Sequence, residues 1–216
     1  EVEAFFKKMN FPFTVGYGMT ECAPIITYDD WKEEKLYSCG KAAPNMEVRI
    51  CSSDPVNIPG EIQVKGANVF LGYYKNEEAT AEVFTDDGWF RTGDMGVLDA
   101  EGSLFIKGRT KCMILGPSGQ NIYPEEVETV INSQPYVVDS LVIEDNGGLT
   151  ALIYPDFAQG IRDGMTQDQF VKFMEDSLPE LNKELPNYAK LKKIEVMSED
   201  FERTPKKSIK RYLYQR

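Results

Sequence analysis

The sequence of 216 residues contains no histidine. That removes histidine-based nucleophile triads and imidazole metal sites from consideration. Cysteine is sparse, with Cys22, Cys39, Cys51 and Cys112 and no CxxC pair, so no zinc set can be assembled. Reduced thiols in a cytoplasmic protein are expected instead. Basic charge is in deficit, with 24 Lys and Arg against 35 Asp and Glu and a formal net charge of −11. This balance argues against a nucleic-acid backbone as partner over a broad surface, while leaving room for a small local basic site. No apolar run approaches membrane-spanning length, and no signal peptide is expected. An initial methionine is also missing: the chain opens on Glu1-Val2-Glu3 and runs into a helix expected over 3–9, as a piece of a longer protein would. Nothing in the sequence fixes an oligomeric state.

What is present suffices for a folded core, since 42% of residues are apolar. The first half reads as short strands and turns. Strands are expected at 46–50 and 61–65, a short helix at 77–84, and a hairpin in "LDAEGSLFIKG" with Glu101-Gly102 in its turn. Glycines punctuate the stretch from Gly66 to Gly102. Beyond Arg109 the units lengthen. Pro124, followed by Glu125, Glu126 and Glu128, opens a helix with Val127, Val130 and Ile131 on one face. Strands at 136–143 and 149–154 flank "EDNGG", a strong hairpin signal. Thr166 and Gln169 form a capping box ahead of apolar residues at helical spacing, and Pro179 should interrupt that helix. A last strand is expected at 191–197. Helix, strand, strand, helix, strand implies a small two-layer α+β domain.

Four stretches carry candidate chemistry. "GYGMTECAP" sets Gly16 and Gly18 around Tyr17, then supplies the hydroxyl of Thr20 and the carboxylate of Glu21. These would suit a nucleotide and a hard cation such as magnesium. "GWFRTGD" puts Asp94 after a Thr-Gly turn, at an expected loop tip, where a carboxylate could accept from paired ribose hydroxyls or simply shape an Asx turn. "GRTKCMI" places Arg109 and Lys111 two apart, on one face if the segment is a strand, or as a solvated pair. "RTPKKSIKR" gathers five basic residues near the end of an acidic chain, as a solvated tail or as a mobile arm carrying a cation to a phosphate.

Taken in order, "GYGMTE", "GEIQVKGANVFLGYYKNEEAT", "GWFRTGD", "GRTKCMI", "NIYPEEVE" and the basic tail resemble the adenylate-forming superfamily of acyl-CoA synthetases, firefly luciferase and peptide-synthetase adenylation domains. "GYGMTECAP" and "SGQNIYPEEVE" look most like its long-chain fatty acid branch. The resemblance implies the end of a large β-rich N-terminal domain over 1–110 and a small mobile α+β domain over 111–216. It implies that Tyr17 stacks on adenine with Gly18 beside it, Thr20 bonds the α-phosphate, Glu21 holds Mg2+, and Asp94 holds the ribose with Arg109 next to it. Lys111 matches the hinge, and the loop 116–120 would line the approach of a thiol. The implied activity is an acid–thiol ligase of fatty acid metabolism. It uses ATP and coenzyme A, releases AMP, and acts on a small-molecule carboxylic acid.

Two departures from the family pattern bear on function. The glycine-rich Ser/Thr phosphate loop is missing, so the chain by itself is expected to be inactive. The family's closing Gly-Lys-Ile-x-Arg pattern aligns Ile209 and Arg211 but sets Ser208 where the adenylation lysine belongs. Lys207 is the expected replacement, presented by a local bulge that turns Ser208 aside; Lys206 and Lys210 are second choices. An enzyme loading a carrier protein, and a non-catalytic module derived from a ligase, are the alternatives.

Overall fold

The computed structural model describes residues 2–116 and 119–216. The chain divides into two compact units, Glu1–Lys111 and Cys112–Arg216.

In the first unit, helix α1 (Val2–Lys8) has Glu3 in its first turn and Lys7 and Lys8 in its last, matching the helix dipole. It begins and ends one residue before the expected 3–9. A small antiparallel sheet follows in the order β1 (Tyr17–Gly18), β2 (Ile25–Tyr28), β3 (Lys41–Ala42), with a 3-10 turn at Thr20–Cys22. The second sheet is an antiparallel meander of β4 (Met46–Cys51), β5 (Gly60–Gly66), β6 (Phe90–Leu98) and β7 (Leu104–Arg109). Helix α2 (Glu77–Val83) precedes β6, and its N-cap Asn76 accepts from the Ala79 N–H at 3.1 Å. Ile26, Ile62, Val64, Phe90 and Leu104 are buried together with Tyr17 and Cys22.

Strand β6 corrects one expectation: Asp94 is not at a loop tip but within the strand, 6% exposed. Gln63 pairs with Arg91 and Glu61 with Met95, so Thr92, Gly93 and Asp94 all lie opposite Ile62. This is a β-bulge, and Gly93 supplies its left-handed residue at φ +72. The glycine that reads as a turn in sequence is therefore the residue that lets a strand continue through a kink.

The second unit begins with a ribbon of β8 (Ile114–Leu115) and β9 (Asn121–Ile122), then helix α3 (Pro124–Asn132) with Pro124 in its first turn. Strands β10 (Val137–Asp145) and β11 (Gly148–Pro155) form the hairpin, with Asn146 and Gly147 both at positive φ, as a type I′ turn requires. A short helix α4 (Phe157–Arg162), absent from the sequence reading, is capped by Asp156, which accepts from the Gln159 N–H at 2.9 Å. Helix α5 (Gln167–Asp176) carries the Thr166–Gln169 capping box, and α6 (Leu178–Glu184) restarts at Pro179 as a separate helix. Strand β12 (Leu191–Val196) pairs parallel with β11, giving the order β10-β11-β12.

Alternation along the strands serves two faces. Val142, Ala151 and Ile153 join Ile131, Phe170 and Leu181 in the core under the helices. Leu141, Ile143 and Leu152 pack on the other side with Phe201, Ile209 and Tyr214. The segment after β12 thus covers the second face of the sheet, a layer the two-layer expectation omitted. The mixed α+β class agrees with that expectation.

Candidate active site

Three of the residues expected to meet a nucleotide, Tyr17, Asp94 and Arg109, come together in the first unit through pairings distant in sequence. Asp94 and Arg109 are direct cross-strand partners on β6 and β7. Arg109 Nε lies 2.9 Å from Asp94 Oδ1, and Tyr17 Oη donates to Asp94 Oδ2 at 2.6 Å. The bulge is fixed by Thr92, whose hydroxyl donates to the Ile62 carbonyl at 2.8 Å and accepts from the Asp94 N–H at 3.1 Å. Both carboxylate oxygens of Asp94 are therefore addressed, one by a buried phenol and one by an exposed guanidinium. Burial and the neighbouring Asp94 charge push the Tyr17 phenol well above its ordinary value, so it remains a donor. Tyr17 is itself a core residue, 8% exposed, so a base stacked on it would meet only a small part of its ring.

Gly18 has a packing reason as well as the expected nucleotide one. A Cβ at Gly18 would stand 2.2 Å from the Pro24 carbonyl oxygen, so the β1–β2 crossing excludes any side chain there. Thr20 and Glu21 sit in the 3-10 turn that this crossing creates, Thr20 exposed and Glu21 half-buried. Two residues that the sequence reading missed hold that turn. Asn68 donates to the carbonyls of Cys22 and Ile25, at 2.7 and 3.0 Å, and the Tyr73 hydroxyl donates to Glu21 Oε1 at 3.2 Å. Both belong to "GANVFLGYY", whose polar members could have been flagged only by knowing what lay opposite. Burial, with the Glu21 charge beside it, pushes the Cys22 thiol up to about 11, which leaves it inert.

Among the described residues, no cluster of three or more Cys, Asp and Glu side chains could hold a metal alone. Glu21 is a single carboxylate beside a hydroxyl, and that donor set fits a magnesium ion that draws its other ligands from phosphates and water.

Arg109 and Lys111 do not share a strand face. Strand β7 ends at Arg109, and Lys111 lies in the 3-10 turn Thr110–Cys112, as the last residue of the first unit. The 116–120 loop falls partly on residues 117 and 118, outside the described residues. Its ends are closed by Gly116 N–H to Gln120 O and Gly119 N–H to Gly116 O, both 2.8 Å. A cavity of about 260 Å3 adjoins this ribbon, with Ile114, Leu115, Ile122 and Leu149 among its apolar lining and Lys190 and Lys192 among its polar lining.

The basic tail is ordered around one tight loop. Arg203 bridges Ile209, the Thr204 N–H donates to the Ser208 carbonyl, and the Lys207 N–H donates to the Thr204 carbonyl, both at 2.8 Å. Lys207 occupies the tip at φ +64. Among the described residues neither the Lys206 nor the Lys207 ammonium has a partner, whereas Lys210 is 3.1 Å from Glu202. Arg211 pairs with the buried Glu128, which also accepts from the Val142 N–H at 2.7 Å. Burial raises the Glu128 carboxyl, with Arg211 opposing it.

The family described as AMP-binding enzyme matches residues 1–74, and that described as AMP-binding enzyme C-terminal domain matches residues 113–216. The long-chain-fatty-acid–CoA ligase FadD15 of Mycobacterium bovis is 28% identical over 96% of this chain and 37% of its own length. The 2-succinylbenzoate–CoA ligase of Bacillus pumilus is 42% identical over 62% of this chain and 28% of its own. The O-succinylbenzoate coenzyme A synthetase of Bacillus subtilis, solved with ATP and magnesium, superposes with a TM-score of 0.81 at 30% identity, over 98% of this chain and 43% of that one. The chain thus spans less than half the length of these relatives. No helix among the described residues is long and apolar enough to cross a membrane. With both families matched in order, and the fold shared with a solved coenzyme A synthetase, the chain belongs to the adenylate-forming superfamily of AMP-binding enzymes.

Proposed function

We propose that the chain acts as the C-terminal part of a complete AMP-forming acid–thiol ligase. That enzyme would join a carboxylic acid to ATP as an acyl-adenylate, release pyrophosphate, and pass the acyl group to coenzyme A with release of AMP. The observation that carries the reading is the bulge that presents Asp94 between Tyr17 and Arg109. A held carboxylate with two oxygens is the acceptor that adjacent ribose hydroxyls require.

Attack of a carboxylate on a phosphate brings two anions together, so the task is to position them and spread charge. Thr20 would donate to the α-phosphate, and Glu21 would hold magnesium. When bound, the ion would share the negative charge of the phosphates. Tyr17 would border the adenine, with Gly18 admitting the close backbone. Lys207 would deliver the ammonium that Ser208 cannot, with Lys111 as the hinge between two poses of the small domain. Coenzyme A would approach past the 116–120 loop.

We assign a long-chain fatty acid as substrate and the cytoplasm as location. "GYGMTECAP" and "SGQNIYPEEVE" look most like the long-chain branch, and a fatty acid ligase matches 96% of the chain. All four cysteines are free, as a reducing compartment keeps them. The test is a panel of acids given to the complete enzyme with ATP, magnesium and coenzyme A. Fastest acyl-CoA formation from long-chain acids is the expected result. Preference for a succinylbenzoate-like aromatic acid would overturn the substrate, and transfer only to a carrier protein would overturn the acceptor.

A further inference from the structure

Arg203 stands at the base of the loop that carries Lys207. Its guanidinium reaches three acceptors. Nη2 donates to Asp139 Oδ2 on β10 and to Asp200 Oδ1, both at 2.8 Å, and Nη1 donates to the Lys207 carbonyl at 3.3 Å. The two carboxylates hold Nη2, and that grip aims an Nη1 N–H at the loop tip. The backbone of Arg203 pairs with Ile209 on the far side of the same loop.

The tip needs such support. Lys207 holds φ +64, a left-handed conformation that side chains other than glycine seldom adopt. If Lys207 relaxed to the right-handed region, its Cα–Cβ bond would point elsewhere, and the ammonium at the end of the stem would follow. A donor on the Lys207 carbonyl fixes the peptide plane and so resists that relaxation. Lys210 cannot take over without breaking its pair with Glu202.

We propose that Arg203 is a positioning residue for adenylation: braced by Asp139 and Asp200, it locks the left-handed turn from which Lys207 reaches the reacting phosphate. The proposal rests on the reading in which Lys207 supplies the adenylation cation, and its test separates the two ideas. In the complete enzyme, Arg203→Ala should slow acid-dependent pyrophosphate exchange by on the order of ten- to a hundredfold, the scale of a slightly misplaced catalytic group. Conversion of preformed acyl-adenylate to acyl-CoA should be unchanged. Added to Lys207→Ala, Arg203→Ala should cost less than about twofold more, because a residue acting through Lys207 has nothing left to position. Arg203→Lys, which keeps the charge but loses the fork, should recover part of the exchange. Additive losses, or equal losses in both half-reactions, would show a merely structural role and overturn the proposal.

The clamp has a second readout on the 216-residue chain that needs no turnover. A lysine-specific protease should cut after Lys206 and Lys207 several-fold faster in Arg203→Ala, with cleavage at other lysines unchanged. Unchanged cutting at the loop overturns the clamp whatever the kinetics show. If Lys207→Ala leaves exchange intact, the assignment of Lys207 falls, and with it the catalytic part of the proposal; faster cutting would then still support the clamp.

Discussion

The Tyr17 hydroxyl and the Asp94 carboxylate, 77 residues apart, meet at 2.6 Å beneath a β-bulge, and Arg109 closes the other side of the same carboxylate. Tyr17 keeps its proton because burial and the Asp94 charge both oppose ionisation. The pair is a fixed acceptor, as the proposed ribose contact requires.

Replacing Asp94 by Ala in the complete enzyme should therefore weaken ATP binding by about 1.5–3 kcal/mol, the range for hydrogen bonds to charged groups. Calorimetric titration with ATP checks this. An unchanged affinity would reduce Asp94 to a shaping residue of the bulge.

Gly18→Ala tests the crossing that lifts Thr20 and Glu21. The added methyl would meet the Pro24 carbonyl at 2.2 Å, and a backbone atom cannot swing aside. A loss of about 1–3 kcal/mol in denaturant unfolding is expected, as for other forced overpacking. Wild-type stability in this variant would mean the crossing is looser than described.

Much of the second unit was legible because its signals are local. The Thr166–Gln169 capping box, the Asn146-Gly147 turn and the apolar face of α3 each specify their own geometry within a few residues. The first unit was less legible, because its chemistry is made by pairing. Gly93 looks like a turn until β5 lies alongside and makes it a bulge. Asn68 and Tyr73 are ordinary polar residues until the turn after β1 comes within reach. Helix α4 escaped notice because six residues containing Gly160 make a weak helical pattern, and its cap, Asp156, reads equally as a turn residue.

Acid should loosen the end of the tail. Arg216, aided by Lys193, holds the Glu195 carboxyl at about 2, below its ordinary 4.5. A depressed folded value means the contribution is present above pH 4.5 and is lost as pH falls through about 2. Arg216 is exposed and Glu195 half-buried, so solvent screens the pair and the effect should be under about 1 kcal/mol. Glu195→Gln should flatten that part of the stability–pH curve, and an identical curve would remove the pair from the account.

The 216-residue chain alone should form no acyl-CoA, since it carries no glycine-rich phosphate loop. Residues 112–216 should nevertheless melt cooperatively, because they enclose a core of their own. Acyl-CoA formation by the chain would contradict the first expectation, and a non-cooperative melt the second.

The central claim is acid activation through an adenylate, and exchange of labelled pyrophosphate into ATP by the complete enzyme measures that step directly. The account predicts exchange that requires a carboxylic acid and proceeds without coenzyme A. Adding coenzyme A should then yield AMP and acyl-CoA in equal amounts. Exchange independent of any acid, or release of ADP in place of AMP, would contradict it.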